Sequence, residues 1–258
     1  MANLIKWADF DIRILPEHDF SFRHYLSSEV CFLEHIGLFG GTFNPIHVGH
    51  LRAIQEVQNR FSLDKCYLIP AALPPHKEPG DVVDAKYRLE MIRLAISEYS
   101  DRLSSVIISD VELKRSGPSY TIDTVNHFKS ILPYNSRLYL ILGIDAFLEI
   151  DTWKSFSDLF YLTAFIVMTR PRGVDTEGVF KWKVLEDYIK GKISGSYKFS
   201  ISRSCFVHDE KQTIFFVNID SLDISSTEIR NLIKKGQPIK FFVPKKVEDF
   251  IITKGFYV

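Results

Sequence analysis

The sequence predicts an α/β fold: a doubly wound, mainly parallel sheet with helices on both faces. Three observations carry this reading. Short apolar runs rich in β-branched and aromatic residues alternate with helical patterns, as in successive βα units. The runs are continuously apolar, which suits strands covered on both sides. The segments between them carry single apolar stripes of helical period.

Strands are expected at residues 36–39, 66–69, 106–109, 138–142, 165–168 and 214–217. Behind the first, Leu51, Ile54, Val57 and Phe61 recur at spacings of three, three and four, which marks one buried helix face. Leu89, Ile92, Ala95 and Tyr99 repeat the pattern in the second unit, with Asp84 as its N-cap. In such a sheet ligands bind outside the carboxyl ends of the strands, so chemistry is sought in the loops that follow them. Residues 1–35 are an aromatic-rich extension of neither period. Residues 36–258 read as one domain, with a polar, variable connection at about 172–212, weakly helical near 184–189, and a helical part at about 225–258.

Composition narrows the partners. Lys plus Arg and Asp plus Glu number 32 each, so no overall field favours nucleic acid or an anionic membrane surface, and any phosphate recognition has to be local. Cys31, Cys66 and Cys205 are odd in number and in no CxxC pair, which points to reduced thiols rather than a disulfide framework or a metal site. Asp9, Asp11, Glu17 and Asp19 interrupt the N-terminal region, and no apolar run has signal-peptide or membrane-span length. A soluble cytoplasmic protein is expected, and a homo-oligomer is compatible with this composition.

The segment GGTFNPIHVGH, residues 40–50, carries the chemistry. Gly40 and Gly41 let backbone amides approach an anion closely. Asn44 and Pro45 then turn the chain, and a helix starting near Gly49 and His50 would aim its unpaired N–H groups at the same space. His47 and His50, three residues apart, can share one side of this cradle and donate to phosphate oxygens, and a protonated His50 would neutralise charge growing during phosphoryl transfer. At the other end of the chain, DISSTEIR at residues 223–230 pairs Ser225 with Glu228 at capping-box spacing, which starts a second helix with anion-facing amides. Arg230 is a candidate bidentate phosphate clamp on it.

GGTFNPIHVGH resembles the HxGH signature of the nucleotidyltransferase superfamily, and ISSTEIR resembles its ISSTxIR signature. The resemblance implies a Rossmann-like fold and direct in-line attack on the α-phosphorus of a nucleoside triphosphate, with Mg²⁺ and no covalent enzyme intermediate. It further implies that His47 and His50 contact the ATP phosphates, with His50 stabilising the transition state. Gly40, Gly41, Thr42 and Phe43 would line the phosphate loop, and Ser225, Ser226, Thr227 and Arg230 would hold the β- and γ-phosphates. Asn44 departs from the aspartate that many members carry.

Four further segments, PPHK (74–77), PSYT (118–121), LGIDAF (142–147) and DTW (151–153), fall on the ligand-binding edge. An indole can stack on a pyridinium ring, which suits Trp153. Asp145 can accept from ribose hydroxyls, Tyr120 and Thr121 can present donors to a small carboxylate, and His76 and Lys77 sit in a Pro-bounded loop able to close over it. In this order the segments are similar to the nicotinate-nucleotide adenylyltransferases over about residues 36–170 and 218–258. That implies ATP and nicotinate mononucleotide as substrates, deamido-NAD and pyrophosphate as products, and mononucleotide contacts from Gly143, Asp145 and Trp153. The alternatives are a nicotinamide-mononucleotide enzyme and a nucleotide-binding regulator without turnover.

Overall fold

The computed structural model describes residues 33–74, 82–169, 177–219 and 224–258. Its strands are β1 (His35–Gly41), β2 (Lys65–Pro70), β3 (Val106–Ile108), β4 (Arg137–Gly143), β5 (Ala164–Thr169), β6 (Lys198–Ser200), β7 (Cys205–Val207) and β8 (Ile214–Asn218). The helices are α1 (Val48–Phe61), α2 (Ala85–Glu98), α3 (Val111–Lys114), α4 (Thr121–Ile131), α5 (Ile144–Phe147), α6 (Phe156–Leu162), α7 (Glu177–Tyr188), α8 (Ser226–Lys234) and α9 (Lys245–Lys254). The strands form one sheet in the order β3-β2-β1-β4-β5-β8-β7-β6. From β3 to β8 all neighbours are parallel, while β6 and β7 are antiparallel additions at one edge.

Side chains alternate across the sheet, as a period of two requires. Phe39, Leu68, Ile141 and Ile166 face a core roofed by α1 and α2. Leu38, Leu140, Val167 and Phe216 face the opposite core, filled by Val125 and Phe128 of α4 and by Phe147, Leu159 and Phe160. Both faces are dry, so the strands have no polar side and read as continuous apolar runs.

All six expected strands are present. The difference lies in the connection at 172–212, which contributes α7 and the β6–β7 pair, with Tyr197 and Phe206 fully buried. These strands, no longer than β3, lie among polar and charged neighbours that mask them.

The chain winds outward from β1 to β3, then returns to β4 on the other side of β1. Strand order therefore reverses between β1 and β4, and the crevice at their carboxyl ends is where such a sheet receives a ligand. Gly40 and Gly143 stand at those two ends, and a Cβ on either would meet nothing within 4 Å.

Candidate active site

Beyond β1 the chain turns through Thr42, Phe43 and a cis Asn44–Pro45 bond before α1 begins. Phe43 adopts a φ of 50°, in the left-handed region, and its ring is buried in the core. A Cβ on Gly41 would come within 2.9 Å of that ring, so the second glycine is demanded by close packing. The Phe43 ring also meets the His50 imidazole edge-on at 5.1 Å. Its side chain therefore packs beneath His50 rather than lining the cleft.

His47 is the N-cap of α1, and the two histidines cap the helix reciprocally. The His50 amide donates to His47 Nδ1 at 3.3 Å, and the His47 amide donates to His50 Nδ1 at 3.2 Å. This is the capping-box arrangement with imidazoles in place of the usual hydroxyl and carboxylate. The rings stack at 3.6 Å between centroids. Because each Nδ1 accepts, each neutral ring carries its proton on Nε2, as a donor. Gly49 makes the stack possible: a Cβ there would lie 3.0 Å from His47 Nδ1. Phe39, His47, His50, Gly143, Met168 and Thr169 are among the residues lining an open cleft here.

The start of α8 docks on the turn before α1. Ser225 caps α8 by accepting from the Glu228 amide at 3.1 Å. Ser226 Oγ donates to the Pro45 carbonyl at 2.8 Å, and Arg230 Nη1 donates to the Asn44 carbonyl at 2.9 Å. Arg230 Nη2 also reaches Thr227 Oγ1 at 3.2 Å. The N-termini of α1 and α8 are joined by these bonds, and their amide ends form one electropositive corner. Asn44 is 1% exposed, and its Oδ1 accepts from Tyr257 and from the Val83 amide. A neutral amide suits a position this deep, where a carboxylate would require a compensating charge.

On the acceptor side, Tyr120 is the N-cap of α4, and Thr121 opens that helix. Lys154 Nζ lies 4.6 Å over the Tyr120 ring and 3.4 Å from the Asp123 carboxylate, so the turn bearing Trp153 abuts the α4 N-terminus. Trp153 is half-buried against the second core. Gly143 is the N-cap of α5, and Asp145 is exposed in its first turn. Asp151, beside Trp153, is held below the usual carboxylate range by the Tyr188 hydroxyl and then by Lys192. His76 and Lys77 lie outside the described residues.

The loop after β2 is tied to the loop before α4 by Ser119, whose Oγ accepts from the Ala72 amide at 2.9 Å and whose N–H reaches the Leu73 carbonyl at 3.1 Å. Beneath it the buried Glu112 accepts from Thr124 at 2.6 Å. Burial raises the Glu112 pKa above its ordinary 4.5, against the pull of Thr124, Ser119 and Arg115. The folded protein therefore keeps this proton to higher pH than the unfolded chain, and its contribution to stability falls as pH rises from the ordinary value. Glu112→Gln should remove that fall. Urea midpoints should show the variant gaining on the parent between pH 4.5 and pH 7.

Sequence reasoning missed Arg88, Tyr257, Glu112 and the Asn44 acceptor. For Arg88 a signal existed: it precedes Ile92 by four residues and Ala95 by seven, so it lies on the buried stripe of α2.

Comparison with known proteins agrees with this geometry. Residues 38–232 match the cytidylyltransferase-like family. A protein of Desulfatibacillum aliphaticivorans named a probable nicotinate-nucleotide adenylyltransferase is 41% identical over 86% of this chain and 99% of its own length. One of the same name from Clostridium tetani is 37% identical over 85% of this chain and 97% of its own. The fold is shared with Plasmodium falciparum nicotinic acid mononucleotide adenylyltransferase complexed with NaAD, at a TM-score of 0.63 and 21% identity, covering 87% of this chain and 97% of that one. With the two histidines capping α1 at the reversal point of the sheet and α8 bonded to the same turn, the chain belongs to the nicotinate-nucleotide adenylyltransferases of the cytidylyltransferase-like family.

Proposed function

We propose that the protein transfers the adenylyl group of ATP to nicotinate mononucleotide, forming deamido-NAD and pyrophosphate. The observation that carries this reading is the pair of stacked imidazoles at the α1 N-terminus, facing the crevice between β1 and β4. A phosphate oxygen of the mononucleotide attacks the α-phosphorus, the bond to the β-phosphate oxygen breaks, and pyrophosphate leaves. ATP enters as its Mg²⁺ complex, and the triphosphate oxygens are the hard donors that ion prefers. The Nε2–H groups of His47 and His50 and the amides of α1 and α8 meet the negative charge that shifts onto the phosphoryl oxygens and the leaving group.

The acceptor reading follows from the α4 N-terminus, whose first amides lack intrahelical acceptors and favour a carboxylate over a neutral amide. Trp153 stands beside it as the stacking surface for the pyridinium. Trp153→Ala should raise KM for the mononucleotide by about 3- to 30-fold, the range of a desolvated cation–π contact, with KM for ATP little changed. Steady-state titration of each substrate checks this.

The deciding experiment supplies ATP, Mg²⁺ and either nicotinate or nicotinamide mononucleotide in parallel. Dinucleotide and pyrophosphate should form faster with the acid. A preference for the amide moves the assignment to the nicotinamide substrate, and ATP binding without pyrophosphate release makes the protein a nucleotide-binding regulator. Localisation in the cytoplasm belongs to the same reading and is supported by the free, buried thiols of Cys66 and Cys205. No helix among the described residues is long and apolar enough to cross a membrane.

A further inference from the structure

We infer that Arg88 and Tyr257 are positioning residues for the adenylyl transfer proposed above, holding the turn after β1 from two sides and fixing it relative to the acceptor side. Arg88 is an α2 residue only 1% exposed. Its guanidinium is spent on backbone carbonyls. Nε donates to Val83 at 2.7 Å, Nη1 to Thr42 at 2.7 Å, and Nη2 to Ala71 at 2.6 Å and Ala72 at 3.2 Å. Thr42 belongs to the phosphate turn. Ala71 and Ala72 follow β2, and the Ala72 amide is bonded to Ser119, just ahead of Tyr120 and Thr121. One planar side chain therefore sets the distance between the ATP turn and the chain leading to the acceptor helix.

Tyr257 secures the other end of the same turn. Its hydroxyl donates to Asn44 Oδ1 at 2.8 Å, and that oxygen also accepts from the Val83 amide. Val83 is bonded through its carbonyl to Arg88 and through its amide to Asn44, which links the two braces into one network. Tyr257 sits at φ 68°, a left-handed conformation unfavourable for a residue with a Cβ, and its hydrogen bond and ring packing hold it there. Neither side chain is needed to touch a substrate. Each acts through the backbone that carries His47 and His50.

The geometry demands a fork of donors, which a lysine ammonium cannot supply to four carbonyls at once. Arg88→Lys should lower kcat by about 10²-fold, the scale of a small misplacement of reacting groups. Tyr257→Phe, a far milder change, should lower kcat by about 3- to 10-fold, corresponding to one lost hydrogen bond. In both, KM for ATP should change less than kcat, because the turn still binds phosphate but presents it off line. Hydrogen exchange of the amides at residues 42–50 gives a second readout, independent of turnover, and should quicken in Tyr257→Phe without a change in global unfolding.

A Tyr257→Phe protein with parental kcat overturns the inference, whether or not exchange at 42–50 changes and whatever Arg88→Lys does. If Arg88→Lys fails to fold, Tyr257→Phe decides. If the parent protein forms no dinucleotide from either mononucleotide, the proposed reaction fails, and exchange decides the positioning: faster exchange at 42–50 keeps the braces, unchanged exchange removes them.

Discussion

His50→Ala is expected to lower kcat by about 10²- to 10³-fold, the cost of removing one preorganised donor from a developing oxyanion, while KM for ATP moves only a few-fold. The donor is preorganised because the His47 amide occupies His50 Nδ1 and leaves the proton on Nε2. The variant also loses that bond, so a cap loss of about 1 kcal/mol should lower Tm as well. Two further substitutions separate the effects. Gln or Glu at position 50 can accept from the His47 amide as a capping box does, and should recover most of the Tm. Glutamate should remain inactive, because it sets a negative charge against the phosphates. An unchanged kcat in His50→Ala would remove this residue from the chemistry.

Gly49→Val should be nearly as damaging, by about 10²-fold in kcat, for a steric reason. A Cβ at this position lies 3.0 and 3.1 Å from two atoms of the His47 ring, and the valine methyls extend further. The imidazole has to shift against His50, which displaces the ring that caps the helix at the cleft. Valine is a better helix former than glycine, which offsets part of the cap lost as the His47 ring moves, so Tm should fall no further than in His50→Ala. Activity and thermal melting measured on the same preparation test this, and parallel losses of both would show a general packing defect instead.

The fold was legible because its central strands are buried on both faces and its helices show one stripe each. His47 and His50 stand out in the sequence because their spacing is local, contained in a turn of four residues, whereas the packing of Gly49 against His47 does not show there. The reciprocal cap was not foreseen: an imidazole in the place of serine carries no propensity signal. The stripe of α2 marks Arg88 as buried, but what Arg88 and Tyr257 hold is not legible, for another reason. Their partners are backbone carbonyls and an amide oxygen at separations of 46 and 213 residues, and no spacing rule connects such positions. The β6–β7 pair escaped because these short strands lie among polar residues, unlike the apolar run of β3, and only β7 pairs with β8.

The bond between Asn44 and Tyr257 has a consequence in time. The turn that leads into His47 and His50 is synthesised early, but the side chain that seals it comes 213 residues later. A nascent chain can already hold β1, α1 and their reciprocal cap while the turn still waits for its last fastening.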